Sequence, residues 1–306
     1  MTINPLGLFL RSSYYQRRVL APQIAGSNDL GRAISIISSR WPETVKDREC
    51  EDSPIFLFSA GWGSGSTLIQ RLISSDKNTL IWGEPHDHGI AIHRLAEMLV
   101  PVNDKWPLNN YFQLPDNSKP IQEQWIANLS PPVAALQAAH RSFLQRWLRD
   151  PASSSGRNRW GIKEVRLTAD HARYLRWLFP RAKFIFLYRD VLDSYRSCKD
   201  VKWLSVWPNY PVGKPTAFAH HWKHLLHGFI KHADELNALL IRYEDFVSGK
   251  TSPGLIADHL DLPTMDESAI KVRVGARAKR NKRITYIETS AIRAITDDLR
   301  SKLGYC

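Results

Sequence analysis

One segment in the first quarter of the chain constrains the fold more than any other. Ile55–Phe58 is a compact apolar run that predicts a buried strand, and it leads directly into the glycine-rich stretch Ser59–Gly65, which predicts a tight turn. From Ser66 to Ile73 the apolar residues recur at helical spacing, and Ser66 and Thr67 suit the start of a helix. A strand, a glycine turn and a helix in this order predict the opening of a nucleotide-binding βα unit.

Such a turn presents backbone N–H groups and the positive end of a helix dipole to an anion. Gly61, Gly63 and Gly65 tolerate positive φ and let a phosphate approach the backbone, and the hydroxyl groups of Ser66 and Thr67 add donors at the first helical turn. A glycine-rich turn without any ligand stays open as an alternative, because the pattern alone is a weak signal.

The loop differs from that of nucleoside triphosphatases. Those enzymes carry a lysine directly before the Ser/Thr of the loop, where it reaches the β and γ phosphates. Gly65 occupies that place here, and no recognisable aspartate-bearing strand for magnesium follows. ATP or GTP hydrolysis is therefore disfavoured.

Further apolar runs alternate with helical patterns along the chain. The predicted strands after the first are Thr79–Trp82, Trp160–Lys163, Lys183–Tyr188 and Ala238–Ile241. The predicted helices besides the one after the turn are Asp29–Ser39, Ala91–Leu99, Pro132–Arg149, Ala169–Phe179 and Val191–Lys199. This alternation predicts an α/β fold with a P-loop-like parallel sheet flanked by helices on both faces. Residues 1–50 are predicted to be an N-terminal extension and residues 51–306 the main domain, with a helical insertion at about residues 101–155.

Composition narrows the class of partner. The net charge is +12, with 42 Lys+Arg against 30 Asp+Glu, which favours anionic partners. The basic run Arg277–Arg283 is the strongest charge block, but no known nucleic-acid-binding motif accompanies it, so nucleic acid is not expected. A binding module that uses this run without catalysis stays open as the rival class.

Neither membrane insertion nor secretion is predicted. No stretch approaches about twenty apolar residues, and the apolar run Pro5–Leu10 is too short for a signal sequence, so we expect a cytoplasmic protein. The cysteines Cys50, Cys198 and Cys306 are scattered and form neither a disulfide framework nor a zinc motif. No metal is predicted. His220, His224 and His227 fall at helical spacing, so they line one side of a ligand cleft or simply cover a helix, with a metal site as the alternative.

A second anion-binding pattern follows the predicted strand Lys183–Tyr188. Arg189 leaves the carboxyl edge of that strand, where open α/β sheets bind their ligands, and Ser197 lies two turns along the next helix. A guanidinium and a hydroxyl group that converge in this way suit a single phosphate, because arginine recognises phosphate oxygens bidentately. A surface ion pair between Arg189 and Asp193 is the plain alternative.

The two patterns together resemble the sulfotransferases that use 3′-phosphoadenosine 5′-phosphosulfate (PAPS). Ser64-Gly65-Ser66-Thr67-Leu68 resembles their 5′-phosphosulfate loop, and Arg189-Asp190-x-x-Asp193-x-x-x-Ser197 resembles their 3′-phosphate motif. Gly83-Glu84-Pro85 and the stretch from Lys163 to Phe184 are similar to the branch with tyrosylprotein and Golgi carbohydrate sulfotransferases. The resemblance covers about Ile55 to Lys199. A further short match, Arg242-Tyr243-Glu244-Asp245, occurs later in the chain.

The resemblance implies transfer of a sulfuryl group from PAPS to an acceptor hydroxyl, with the helical insertion on the acceptor side. It implies that PAPS is bound by the loop and the second motif, at Gly61, Gly63, Ser64, Gly65, Ser66, Thr67, Arg189 and Ser197. It makes Glu84 the catalytic base, with His86 and His88 as alternatives. The family loop carries Lys or Arg where this chain has Gly63, so either Lys163 stabilises the leaving phosphate or activity is lower.

The acceptor is the least constrained part of the prediction. Trp106, Trp125, Trp203 and Trp207 lie outside the nucleotide core, and exposed aromatic rings stack on sugars or phenols. We favour a carbohydrate or glycoconjugate acceptor on this ground. Peptidyl tyrosine and a lipid or small metabolite stay open.

Overall fold

A computed structural model of the chain describes residues 21–44, 50–85, 90–108, 118–127, 129–201, 213–263, 265–271 and 283–305. Within these residues five parallel strands form one sheet in the order β2-β3-β1-β4-β5. The strands are β1 (Ile55–Ser59), β2 (Thr79–Trp82), β3 (Arg159–Glu164), β4 (Lys183–Tyr188) and β5 (Ala238–Arg242). All five lie where the apolar runs predicted them, and the glycine loop follows the central strand.

The helices that cover this sheet are bounded as follows: α1 (Ala21–Arg40), α2 (Ser66–Ile73), α3 (Ala91–Glu97), α4 (Val133–Leu144), α5 (Asp150–Ser154), α6 (Ala169–Leu178), α7 (Val191–Val201), α8 (Pro215–His232), α9 (Tyr243–Val247), α10 (Pro253–Leu260), α11 (Ser268–Lys271) and α12 (Tyr286–Lys302). A π-helical turn, Gln145–Arg149, joins α4 to α5. Short 3-10 turns occur at Pro42–Thr44 and Ile121–Glu123. The six predicted helices are present, whereas α5, α8, α9, α10, α11 and α12 were not predicted.

The alternation of side chains along the strands divides the core into two layers. Phe56 and Phe58 of β1 point to one face with Phe186 of β4, whose ring stacks on Phe229 of α8 at a centroid distance of 4.4 Å. Ile55 and Leu57 point to the other face and pack against the apolar residues of α2 and α10. Helices therefore bury both faces of the parallel sheet, and the predicted fold class is confirmed.

Helix α1, in the predicted N-terminal extension, packs against the first of these layers. Its residues Leu30, Ile34 and Ile37 are buried in the same apolar cluster as β1. Gly31 lies so close to α6 that a Cβ atom there would be 2.4 Å from the Asp170 carboxylate.

The domain boundary at residue 50 stays a prediction. Among the described helices, none is long and apolar enough to cross a membrane.

Buried neutral imidazoles join the helices of this layer. Thr168 and His171 form a capping box at the start of α6, in which the Thr168 hydroxyl and backbone N–H donate to His171 Nδ1. His221 of α8 donates from Nε2 to the Val165 carbonyl oxygen at 3.3 Å. Burial, with a smaller contribution from the nearby His224, lowers the pKa of both His171 and His221 to about 3.

These imidazoles predict a loss of stability in mild acid. In the unfolded chain both bind protons near their ordinary pKa of about 6.5, whereas the folded chain resists protonation down to about 3, so the free energy of unfolding should fall as the pH drops from about 6.5. Each group contributes up to about 1.4 kcal/mol per pH unit in this window.

His171→Gln should reduce this slope between pH 6 and pH 4, because glutamine keeps the capping box and does not titrate. Urea unfolding at a series of pH values measures it. The same substitution at the exposed His227 is the control for the loss of an imidazole. An unchanged slope in His171→Gln would contradict the assignment.

Candidate active site

The carboxyl ends of the five parallel strands meet at one edge of the sheet, where open α/β folds bind ligands. The strand register determines which residues lie level with one another at this edge. Phe58 of β1 pairs with Glu164 of β3, and Tyr188 of β4 pairs with Arg242 of β5. The glycine loop, Glu84, Lys163 and Arg189 therefore lie on segments that end side by side.

The glycine loop has the left-handed backbone that its sequence predicts. The φ angles of Gly61, Gly63 and Gly65 are 83°, 75° and 90°. Gly65 is the N-cap of α2, and no side chain caps this helix. The Leu68 N–H donates to the Gly65 carbonyl oxygen at 2.9 Å, so the N–H groups of the buried Ser66 and the exposed Thr67 are the ones left for an anion.

Ser64 has a structural part in the loop. Its side chain is fully buried, and its hydroxyl donates to the Gly61 carbonyl oxygen at 3.1 Å. The Ser59 hydroxyl donates to the same oxygen at 3.1 Å. The hydroxyl of Ser64 therefore shapes the turn, and the contribution of this residue to a ligand would come from its backbone.

Arg189 and Ser197 converge on the same loop, as the two-part phosphate site requires. Arg189 Nη1 donates to the Gly63 carbonyl oxygen at 3.1 Å, and its guanidinium lies 4.6 Å from the centroid of the Tyr243 ring. A Cβ atom built on Gly63 would be 3.1 Å from the Cβ of Ser197. Arg189 also lies 3.8 Å from Asp193. The ion pair that the sequence left open as an alternative is therefore present as well.

The packing explains why the loop lacks the basic residue of related loops. A Cβ atom at Gly63 would be 2.5 Å from the Ser194 carbonyl oxygen and 3.1 Å from Cys198 Sγ. A Cβ atom at Gly65 would be 2.3 Å from the Tyr243 ring. Backbone atoms of α7 form the closest wall and cannot yield as the end of a flexible side chain would. In this packing, no side chain fits at position 63.

A cluster of four buried charges lies next to the loop. Lys163 Nζ donates to Glu84 Oε1 at 2.5 Å, and the two side chains are 9% and 15% exposed. Arg166 forms a bidentate pair with Glu164 and lies 3.8 Å from Glu84 Oε2. Burial raises the pKa of Glu164, and the Arg166 guanidinium opposes this shift. The structure thus brings Glu84 and Lys163 together, and it adds Arg166 and Glu164.

The side chain of Lys163 points toward the phosphate loop helix. Along β3, Trp160 and Ile162 belong to the apolar layer on the α8 side, so Gly161 and Lys163 face the opposite layer, which contains α2. The N-terminus of α2 and the ammonium group therefore lie on the same face of the sheet. Glu84 Oε2 is buried and has no hydrogen-bond partner among the described residues.

Helix α12 and the Tyr305 that follows it stabilise the segments around Arg189 and Tyr243. Arg300 donates from Nε and Nη2 to Asp190 Oδ2 at 3.2 and 3.0 Å. The Asp190 N–H donates to Glu244, and the Tyr305 hydroxyl donates to the other oxygen of Glu244 at 2.8 Å. Burial and this carboxylate raise the pKa of Tyr305. Sequence reasoning missed Arg300 and Tyr305, because nothing near them in the chain marks them as partners of the strand ends.

The remaining residues that the sequence singled out are not part of the contacts described above. His86, His88, Trp203, Trp207 and residues 277–282 of the basic run lie outside the described residues. Trp106 and Trp125 are exposed. In the part of the chain that the structure describes, no group of three or more His, Cys, Asp or Glu side chains is placed to hold a metal ion. On α8, His221 turns into the core, His224 is half-buried and His227 is exposed.

Comparison with known proteins gives the family. The model of the Sulfotransferase family matches residues 54–266, which is more than two thirds of the 306 residues. The chain therefore belongs to the Sulfotransferase family. The match begins just before β1 and includes the glycine loop, Glu84, Lys163 and Arg189.

Two solved structures are similar in fold. The sulfotransferase domain of the olefin synthase from Synechococcus PCC 7002 is 16% identical, with 82% of this chain and 88% of that chain covered and a TM-score of 0.40. The sulfotransferase STF9 from Mycobacterium avium is 16% identical, with 91% and 83% covered and a TM-score of 0.43. A search of curated proteins finds no match.

The packing around Gly63 predicts that this position rejects even a methyl group. Gly63→Ala should lower the free energy of unfolding by about 1–2 kcal/mol for the left-handed backbone and by about another 1–3 kcal/mol for the contact with the Ser194 carbonyl. Gly249→Ala is the matched control, because Gly249 has a φ of 80° and open space around its Cβ position. Denaturant unfolding compares the two, and equal losses would contradict the steric explanation.

Proposed function

We propose that this chain transfers the sulfuryl group of PAPS to a hydroxyl group of an acceptor. The observation that carries the proposal is the convergence of three groups at one sheet edge: the uncapped glycine loop, the Arg189–Ser197 pair, and the buried Glu84–Lys163 pair. PAPS carries its negative charge at two separated positions, the 5′-phosphosulfate and the 3′-phosphate. A site with two separate anion-binding parts fits such a molecule.

The donor side is held by backbone and by arginine. The N–H groups at the start of α2 would bind the 5′ end, together with the hydroxyl groups of Ser66 and Thr67. Arg189 and Ser197 would bind the 3′-phosphate. Arg189 is already oriented by the Gly63 carbonyl and the Tyr243 ring, so little side-chain entropy is lost on binding.

The Glu84–Lys163 pair supplies the two charges that the transfer needs. The acceptor oxygen bonds to sulfur as the bond between sulfur and the phosphate oxygen breaks, and the hydroxyl proton passes to Glu84. Lys163 stabilises the negative charge that develops on the leaving phosphate, as Lys and Arg do in phosphoryl transfer. Protonation of Glu84 weakens its attraction for Lys163, which frees the ammonium group for the phosphate at the step where it is needed.

Glu84 is suited to this role by its contacts. One carboxylate oxygen is bound by Lys163, while Oε2 is buried and makes no hydrogen bond within the described part of the chain. Glu84 also lines the adjoining cavity, from which an acceptor hydroxyl group would approach the carboxylate. The choice of Glu84 over His86 or His88, a cytoplasmic location and a carbohydrate acceptor stay predictions.

The donor assignment predicts selective binding of 3′,5′-adenosine bisphosphate over ATP, because ATP has no 3′-phosphate for Arg189 and Ser197. Arg189→Ala should weaken bisphosphate binding by about 2–4 kcal/mol. Arg196→Ala is the control, since Arg196 is an exposed arginine on α7, the helix that follows Arg189. Calorimetry with both nucleotides, and with duplex DNA as competitor, measures this. Equal affinity for ATP and bisphosphate would refute the assignment.

The ion pair predicts that Glu84 and Lys163 act as a unit. Glu84→Gln and Lys163→Ala should each lower kcat by about 10²–10⁴-fold while bisphosphate binding changes little. The double variant should lose much less than the product of the two single losses, because each variant already breaks the 2.5 Å pair. Steady-state sulfuryl transfer from labelled PAPS measures kcat, and losses that multiply fully in the double variant would show that the two residues act independently.

A further inference from the structure

We propose that the acceptor is an alcohol with an elongated apolar body, bound in a groove that runs from Glu84 along helix α4. This inference rests on the proposed function, because it takes Glu84 as the group that faces the reacting hydroxyl. It differs from the carbohydrate acceptor that we favoured from the sequence.

The groove begins at a cavity of about 1040 Å³ that contains Glu84 in its wall. Apolar side chains form most of the described lining, namely Trp82, Pro85, Ala91, Phe143, Trp147 and Leu148. Phe143 and Trp147 contact each other at a centroid distance of 5.7 Å, and Phe143 is largely exposed. An exposed aromatic surface next to a buried carboxylate is typical of a site that holds an apolar molecule by its body and one polar group.

Few polar groups are available in this wall for a sugar. Beside Glu84, the described lining offers the Ser142 hydroxyl and the Arg146 guanidinium as polar side chains. Arg146 is 84% exposed and pairs with Asp150 at 3.1 Å. A sugar carries a hydroxyl group on most of its carbons, and each one that is buried without a partner weakens binding. An alcohol with a single hydroxyl needs one polar partner, which Glu84 provides.

The π-helical turn Gln145–Arg149 fixes the aromatic wall. In such a turn the hydrogen-bond pattern of the helix shifts by one residue, and π turns are frequent at functional sites. The Trp82 indole N–H donates to the Leu148 carbonyl oxygen of this turn at 2.9 Å. The polar atom of Trp82 is thereby engaged with the protein, and its ring remains in the wall as an apolar surface.

A second apolar cavity extends the first along the same helix. Its volume is about 590 Å³, and its lining includes Ile37, Leu99, Val102, Trp106, Pro131 and Leu136. Ala139 lines both cavities and is exposed. The α4 residues that line the two cavities, from Val133 to Phe143, cover a rise of about 15 Å. The length and the apolar lining point to an alkyl chain or a similarly long apolar skeleton.

An acceptor series tests the chemical class. Butanol, hexanol, octanol and decanol are compared with N-acetylglucosamine and a tyrosine peptide as acceptors for labelled PAPS. We expect kcat/KM to rise by about four-fold for each added methylene that the groove buries. A higher kcat/KM for the sugar or the peptide than for decanol, or no rise along the alcohol series, would overturn the proposal.

Ala139→Leu tests the path of the groove. Because Ala139 lies where the two cavities meet, a larger side chain should lower kcat/KM for decanol at least ten-fold more than for butanol. Ala138→Leu is the matched control, since Ala138 is the exposed neighbour on α4 and lines neither cavity. An equal effect of Ala139→Leu on both alcohols would place the long acceptor elsewhere and overturn the proposal.

Calorimetry with 3′,5′-adenosine bisphosphate separates a wrong acceptor from a wrong function. Loss of both bisphosphate binding and transfer to every acceptor would reject the proposed function. Bisphosphate binding without transfer to decanol would leave the donor side intact and reject the apolar acceptor.

Discussion

The active edge of the sheet depends on the close contact between the glycine loop and the residues around it. The backbone of Gly63 lies against the Ser194 carbonyl of α7, and the backbone of Gly65 lies under the Tyr243 ring. Arg189 then bonds the carbonyl of Gly63 and stacks on the same tyrosine. This one loop thus connects the ends of β1, β4 and β5, and it holds Arg189 in a fixed position relative to the start of α2.

The same contact decides where the cationic group of the site can be. With no room for a side chain at Gly63, the proposed function takes this charge from Lys163 on the neighbouring strand, which pairs with Glu84. A buried ion pair is costly to desolvate and adds little net stability, so its value lies in chemistry rather than in folding. In the proposed function, base and cation in one pair would link proton acceptance to stabilisation of the leaving group.

The two sides of the site use different physical interactions. The donor side relies on backbone N–H groups, a helix N-terminus and an oriented guanidinium, all suited to anions. The acceptor side is formed by apolar residues of α4 and the π-helical turn. Helix α12 stabilises the donor side through the Arg300–Asp190 pair. In the proposed function, charge would select the donor and apolar area the acceptor.

Local patterns in the sequence determined the five strands, the glycine loop and the Arg189–Ser197 pair, because hydrophobic periodicity, glycine and residue spacing act over short distances along the chain. The same patterns missed α10 and α12. They also did not explain why the loop has Gly63 where related loops have Lys or Arg. Only the tertiary structure brought Lys163 to Glu84, 79 residues apart, and Arg300 to Asp190, 110 residues apart. It also assembled the apolar groove from separate segments. These contacts depend on how distant elements pack, and no local pattern encodes that.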